Sequence, residues 1–324
     1  MLISEVIMKN KRILRRSIDE SLTKSYLRTW LNCCRMGSPP QEPDYIADLS
    51  LRWVSDAVRD LKRVLRSKFR VGITGVYCHQ KPLADFGTTP RPEIGDLLLF
   101  LKYQESGSAP IFNSLLFQAK TSSSQNFIIG SGDLHQLKLY EEWPKFQYRR
   151  AGPLNNQTRD IHPKRPCTGA KYLLVDSSYI GCHAYYPMYF PFGCAVPNRS
   201  ITLTKSFTDE FIDFLTLDAG KVISDKSSAT EDWSNMIWDL LDITRGKCAK
   251  RHLSGLGKGF PRQTTSKMDA FFYMAGEDPP DFFGSVDNSG GDQNYESDQS
   301  SDDENGGISV LYIQISANES QENT

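Results

Sequence analysis

Glu93-Ile-Gly-Asp96-Leu-Leu-Leu-Phe-Leu101 and Leu115-Leu-Phe-Gln-Ala-Lys120 are the two stretches that decide the fold. Each is an apolar run of strand length, and the chain between them holds Gly107, Ser108, Ala109 and Pro110. Two strands joined by a loop follow from that, most simply as an antiparallel hairpin. Runs this apolar read as strands buried on both faces, where a carboxylate or an ammonium is unfavourable unless it meets an opposite charge or a metal. Side chains alternate along a strand, so Gln118 and Lys120 share one face and Ala119 takes the other. Pairing of the two strands brings Asp96, Gln118 and Lys120 together at one end.

On the N-terminal side, Asp44 to about Ser67 reads as an amphipathic helix, with Ile46, Leu49, Trp53, Ala57, Leu61 and Val64 at helical spacings. Asp44 reads as its N-cap. Phe69 to Tyr77 follows as a strand whose alternation is interrupted by Gly72 and Gly75, and His79 to Pro92 reads as loop. On the C-terminal side, Ser122–Ser124, Gly130 and Gly132 mark a turn. Asp133 then caps a helix that carries Gln136 and Tyr140 on one face and ends before Pro144. Residues 145–168 form a basic connection, and Ala170–Val175 is a further buried-type strand. Two helices are expected over 207–217 and 230–243. Ile308–Ile315 is strand-like and is expected to dock on a sheet edge.

The totals bound the class. No apolar run among the 324 residues approaches the roughly 20 needed to span a membrane. The apolar pieces of the N-terminus are short and broken by Glu5, so no signal peptide is read there. Seven cysteines without C-x-x-C spacing fit reduced thiols in a cytoplasmic protein better than a disulfide framework or a zinc site. The net charge of −1 conceals an asymmetry: residues 277–324 hold 12 acidic groups and no Lys or Arg, which leaves a formal +11 on the rest. A basic body suits a phosphate backbone, though many proteins without nucleic-acid partners share it. Lys9–Arg16 reads as the solvated face of a helix more readily than as a DNA-contacting arm. Cys33-Cys34 and Gly37–Pro40 read as a linker. Arg245–Lys267 reads as a basic loop, and 277–305 has the composition of disorder. The resulting division is an N-terminal helical and basic segment (1–43), a core (44–178), an extension with helices and a basic loop (179–276) and an acidic, largely disordered tail with a terminal strand (277–324).

Helix–strand–strand–strand–helix–strand, with Gly95-Asp96 opening the second strand and Gln118-Ala119-Lys120 closing the third, resembles the PD-(D/E)XK nuclease superfamily over about residues 44–176. Gln136-x-x-x-Tyr140 is similar to the Q-x-x-x-Y motif of its RecB-type branch. The resemblance implies an α/β, restriction-endonuclease-like αβββαβ core with a mixed sheet flanked by helices. It implies a metal-dependent deoxyribonuclease, in a setting such as bacterial restriction or anti-phage defence, with a homodimer or a partner subunit in prospect. Asp96 would hold Mg²⁺ or Mn²⁺, hard cations that take oxygen ligands, with the Gln118 amide oxygen and the Ala119 carbonyl completing the cradle. Lys120 would orient or deprotonate the attacking water, or stabilise charge on the phosphate. Gln136 and Tyr140 would position DNA or the metal-bound water. Gln118 departs from the usual acidic residue and removes one negative charge. Glu93 would supply that carboxylate, and Asp56 or Asp60 would add one from the first helix. The weaker metal site keeps a second reading open, that of a non-cleaving DNA-binding or scaffold subunit. His79 reads as a surface residue before a catalytic one. Gly255-Leu-Gly-Lys-Gly259 lacks the strand and the Ser/Thr that a phosphate loop requires.

Overall fold

The computed structural model describes residues 2–78, 81–124, 126–164, 167–178, 189, 191–248, 270–283 and 306–318. His79, most of the basic loop after Cys248 and the acidic stretch 284–305 lie outside them. The chain opens with four helices: α1 (Ile3–Lys9), α2 (Lys11–Arg35), α3 (Glu42–Leu51) and α4 (Trp53–Leu65). Strands β1 (Phe69–Cys78), β2 (Leu83–Asp85), β3 (Leu97–Gln104), β4 (Ile111–Ser122) and β5 (Asn126–Ile128) follow. Next come α5 (Leu134–Glu142), β6 (Phe146–Arg149), β7 (Thr158–Arg159), β8 (Ala170–Asp176), β9 (Phe192–Ala195), β10 (Ser200–Thr202) and β11 (Lys205–Ser206). The described chain ends with α6 (Phe207–Leu215), β12 (Lys221–Ile223), α7 (Asp232–Cys248), β13 (Ala270–Gly276) and β14 (Ser309–Ala317).

The architecture is α/β, with a nine-stranded mixed sheet flanked by helices and, among the described residues, two small antiparallel sheets, β2-β6-β7 and β5-β10. The strand order of the large sheet is β11-β9-β8-β4-β3-β14-β1-β13, with β12 also pairing β4. β3 and β4 form the antiparallel hairpin, in the register Leu97↔Phe117 to Tyr103↔Ile111, and β8 runs parallel to β4. Successive side chains of β3 feed two cores. Leu97, Leu99 and Leu101 pack with α2, α3, α4 and α6, whereas Leu98 and Phe100 pack with α5 and α7. The five residues Leu97 to Leu101 have no exposed surface, so the continuous apolar run is what a strand covered on both faces requires. Gly75 is explained by packing: a Cβ there would come within 1.7 Å of the Ser50 carbonyl, so α3 can lie against β1 only where the side chain is missing.

The structure corrects several local readings. The amphipathic segment is two helices joined at Arg52, and Asp44 is the third helical residue, not the cap. Its carboxylate accepts the Gln41 amide at 2.7 Å in a capping box, a geometry that Pro43 tolerates in the first turn. Cys33 and Cys34 belong to α2, so the break begins only at Met36. Arg12, Arg15 and Arg16 are exposed on α2, in keeping with a solvated helix face.

The larger correction concerns β14. It does not sit on an edge; it lies between β1 and β3, antiparallel to the first (Ile73↔Ile313) and parallel to the second (Leu101↔Ile313). Its sequence explains why. Val310, Leu311, Tyr312, Ile313 and Ile315 are all buried, and they alternate between the two cores, so an edge would have left one face in water. Segments read as core, extension and tail thus share one sheet. Burying Ile308 and these five side chains contributes roughly 10 kcal/mol or more, comparable to the whole net stability of a typical domain. A chain ending at residue 305 is therefore expected to lose its cooperative thermal unfolding transition. A sharp, full-length-like transition in that truncation would contradict the central placement of β14.

Candidate active site

Asp96 is the residue immediately before β3, and its amide donates to the Phe117 carbonyl at 2.8 Å, extending the hairpin by one rung. One of its carboxylate oxygens, Oδ2, accepts two bonds from the opposite strand: the Ala119 backbone N–H at 2.8 Å and the Gln118 side-chain Nε2. Lys120 lies two residues along the same face as Gln118, and its Nζ meets Asp133 Oδ1 at 2.9 Å. The expected convergence of Asp96, Gln118 and Lys120 is therefore present, at the end of the sheet where β1, β4 and β8 finish and β3 and β14 begin. Asp133 occupies the helix N-cap position but makes no side-chain cap bond, because its carboxylate serves Lys120.

The approach to Asp96 is fixed by a clamp. The Ile94 amide donates to the Pro82 carbonyl at 2.9 Å, and Glu93 bridges to Leu83. From α5, Gln136 Nε2 donates to the Glu93 carbonyl and the Tyr140 hydroxyl to the Ile94 carbonyl, each at 2.9 Å. Gly95 completes it, since a Cβ there would stand 2.6 Å from Leu116 and 2.9 Å from the Tyr140 oxygen. Gln136 and Tyr140 do share a helix face, as the sequence spacing required. Both are buried, and their polar ends bind backbone, so in this structure they position the segment that carries Asp96 and do not reach outward to a substrate.

The electrostatics follow from crowding. Burial first, and then the neighbouring Glu93 carboxylate, push the Asp96 carboxyl up to about 7. Lys81, the Ala119 amide and Lys120 oppose that rise. Lys81 was not foreseen. It is buried, its ammonium donates to the Cys78 carbonyl and sits 5.4 Å from the Tyr77 ring centre, and it carries positive charge to the Asp96 side of the sheet end. Nothing in the Gln80-Lys81-Pro82 sequence distinguishes it from loop lysine. Glu42, at the start of α3, was also missed: its carboxylate accepts the Thr121 amide at 3.0 Å and the Thr121 hydroxyl at 3.1 Å, just beyond Lys120.

Asp56 and Asp60 are not at the site. They lie on the side of α4 that faces α2, where Asp56 meets Lys24, Arg28 and Arg59, and Asp60 meets Arg59. In the basic connection 145–168, Arg149 pairs with Asp85, Arg159 with Asp239 and Lys164 with Asp160, so these three cations brace the fold. His79 lies outside the described residues.

Among the described residues no group of three or more His, Cys, Asp or Glu side chains is placed to hold a metal ion. The oxygen donors at Asp96 nevertheless suit a hard cation. Gln118 Oε1 is buried without a hydrogen-bond partner, beside a carboxylate, and the Ala119 carbonyl leaves β4 on the edge from which the Ala119 amide reaches Asp96. With the Glu93 charge close enough to raise Asp96, the set comprises two carboxylates, an amide oxygen and a carbonyl, which is oxygen chemistry of the kind Mg²⁺ or Mn²⁺ takes.

Comparison of the chain with protein-family models, with curated proteins and with solved structures finds no match. Among the described residues no helix is long and apolar enough to cross a membrane.

The raised Asp96 carboxyl has a consequence for stability. A proton held more tightly in the folded chain favours folding below the unfolded value of 3.8, and that contribution is lost as pH climbs through about 7. Asp96→Asn, which stays neutral, is therefore expected to gain stability over wild type between about pH 4 and 7, reaching on the order of 4 kcal/mol above pH 8. Denaturant unfolding across that range measures it. A difference that stays constant with pH would show that Asp96 is not held in this way.

Proposed function

We propose that this chain is a metal-dependent nuclease acting on DNA, with Asp96, Gln118 and Lys120 as its chemical centre. The observation that supports this reading is their assembly on one face at the end of a buried hairpin, with Asp96 held from β4 and the Glu93–Ile94 backbone before it held from α5. Pre-set geometry of this kind is what hydrolysis of a phosphodiester demands.

Asp96, Gln118 Oε1 and the Ala119 carbonyl would hold the divalent ion. When bound, that ion supplies charge neutralisation at the phosphate and a more acidic water. Lys120 keeps one ammonium proton on Asp133 and has two others to offer, enough to hold a phosphate oxygen or a water in line. Glu93 restores part of the negative charge that Gln118 lacks. Gln136 and Tyr140 act one step back, by holding the Glu93 and Ile94 carbonyls.

A second reading, a DNA-binding subunit that does not cut, is favoured by one observation: among the described residues no cluster of three metal-ligating side chains surrounds Asp96. Cleavage of supercoiled plasmid and single-stranded DNA with Mg²⁺ or Mn²⁺ separates the two. The nuclease reading expects metal-dependent cutting that falls by about 100-fold or more in both Asp96→Ala and Lys120→Ala. DNA binding without cutting, unchanged in either variant, would favour the second reading.

A further inference from the structure

Between Lys120 and α5 the chain builds a feature that the sequence marked only as a turn. β5 pairs with β10 in a separate two-stranded antiparallel ribbon, with Ser200↔Ile128, Ile201↔Phe127 and Thr202↔Asn126 opposite each other. One face is anchored: Ile201 is buried in a small core with Ile129, Leu137, Tyr172, Leu174 and Ala195, and Phe127 packs on it. The other face carries Asn126, Ile128, Ser200 and Thr202, all exposed. Ile128 is 71% exposed, the most of any large exposed hydrophobic side chain among the described residues.

We propose that this outward face enters a groove of duplex DNA beside the phosphate that is cut. The inference rests on the nuclease reading and names the part of the surface that would meet base edges. Three observations carry it. First, Lys120 lies near the end of β4 and only six residues before Asn126, so Asn126 lies within about 20 Å of the Lys120 backbone even along a fully extended chain, well under one turn of duplex. Second, the sequence holds no acidic residue from Thr121 to Gly132 or from Val196 to Thr204, and Arg199 stands exposed at the start of β10. A DNA surface would repel carboxylates there, whereas the composition present is neutral, hydrogen-bonding and capped by one cation. Third, the spacing fits. The two outward pairs, Ser200 with Ile128 and Thr202 with Asn126, lie two residues apart, about 7 Å, which is close to two base-pair steps. A two-stranded ribbon fits the major groove, where Asn, Ser and Thr bond base edges and an aliphatic side chain meets a thymine methyl group.

Fluorescence anisotropy with a labelled duplex, read at several salt concentrations together with the positions of cutting, tests the inference. The double variant Asn126→Ala/Thr202→Ala should weaken duplex binding about 10-fold with an unchanged salt slope, because groove contacts of this kind release no counterions. Arg199→Ala should lower the slope by about one ion. Thermal unfolding of the double variant should match wild type, since both side chains are exposed. Equal affinity and identical cut positions in the double variant would overturn the ribbon assignment while leaving hydrolysis intact. A wild type that binds without cutting, with binding weakened by the double variant, would support the ribbon and remove the hydrolytic reading. A wild type that neither binds nor cuts duplex would overturn both.

Discussion

One carboxylate oxygen of Asp96 accepts hydrogen bonds from both the Gln118 side-chain amide and the Ala119 backbone amide, and the rest of the site depends on that pair of hydrogen bonds. It ties the start of β3 to the end of β4 and so fixes where the chain enters the sheet. Its geometry depends on register. With Leu97 opposite Phe117, Asp96 falls level with Gln118, and the alternation of side chains places Lys120 on the same face. A slip by one residue would turn Gln118 and Lys120 into the other core and bring Ala119 in their place. The burial of both faces forbids that slip, because it would exchange the alternating apolar side chains of two differently shaped cores. Site and core are therefore one construction.

β14 extends the same logic. A strand more than 200 residues further along the chain separates β1 from β3, and its first residue, Ser309, pairs with Leu97 and also accepts the Cys78 amide through its hydroxyl. The chain just before it passes closely enough that a Cβ on Gly306 would meet the Lys81 and Pro82 backbone at 2.6–2.7 Å. The C-terminal strand thus helps set the position of Lys81, the second lysine on the Asp96 side of the sheet end. Formation of the site depends on this pairing between strands far apart in sequence, and a long-range contact of this kind slows folding.

Local elements were legible wherever burial imposed a pattern. The hairpin, β1, β8, α6 and α7 follow from apolar runs and helical spacing, and the meeting of Asp96, Gln118 and Lys120 follows from strand alternation. What the sequence did not disclose were choices among partners. Asp56 and Asp60 have the right helix but the wrong side of it: Lys24 and Arg28 on α2 pair with Asp56, and Arg59 of α4 pairs with Asp60. Asp133 has the right position for a cap, yet a lysine outcompetes the helix amides for its carboxylate. Gln136 and Tyr140 keep their expected face but meet carbonyls of the Glu93–Ile94 segment first. The central position of β14 was hidden because an apolar run announces burial, not which two strands will flank it. Lys81 and Glu42 left no signal, since each acts through a contact set by tertiary structure.

The most direct measurement is isothermal titration of Mg²⁺ and Mn²⁺ into wild type and Asp96→Ala at pH 6 and pH 8. A cation bound at Asp96 must displace its proton, so the account predicts saturable binding that strengthens from pH 6 to pH 8 and disappears in Asp96→Ala. Absence of binding at both pH values, or binding equally strong in the variant, would contradict the assignment of this site as a metal centre.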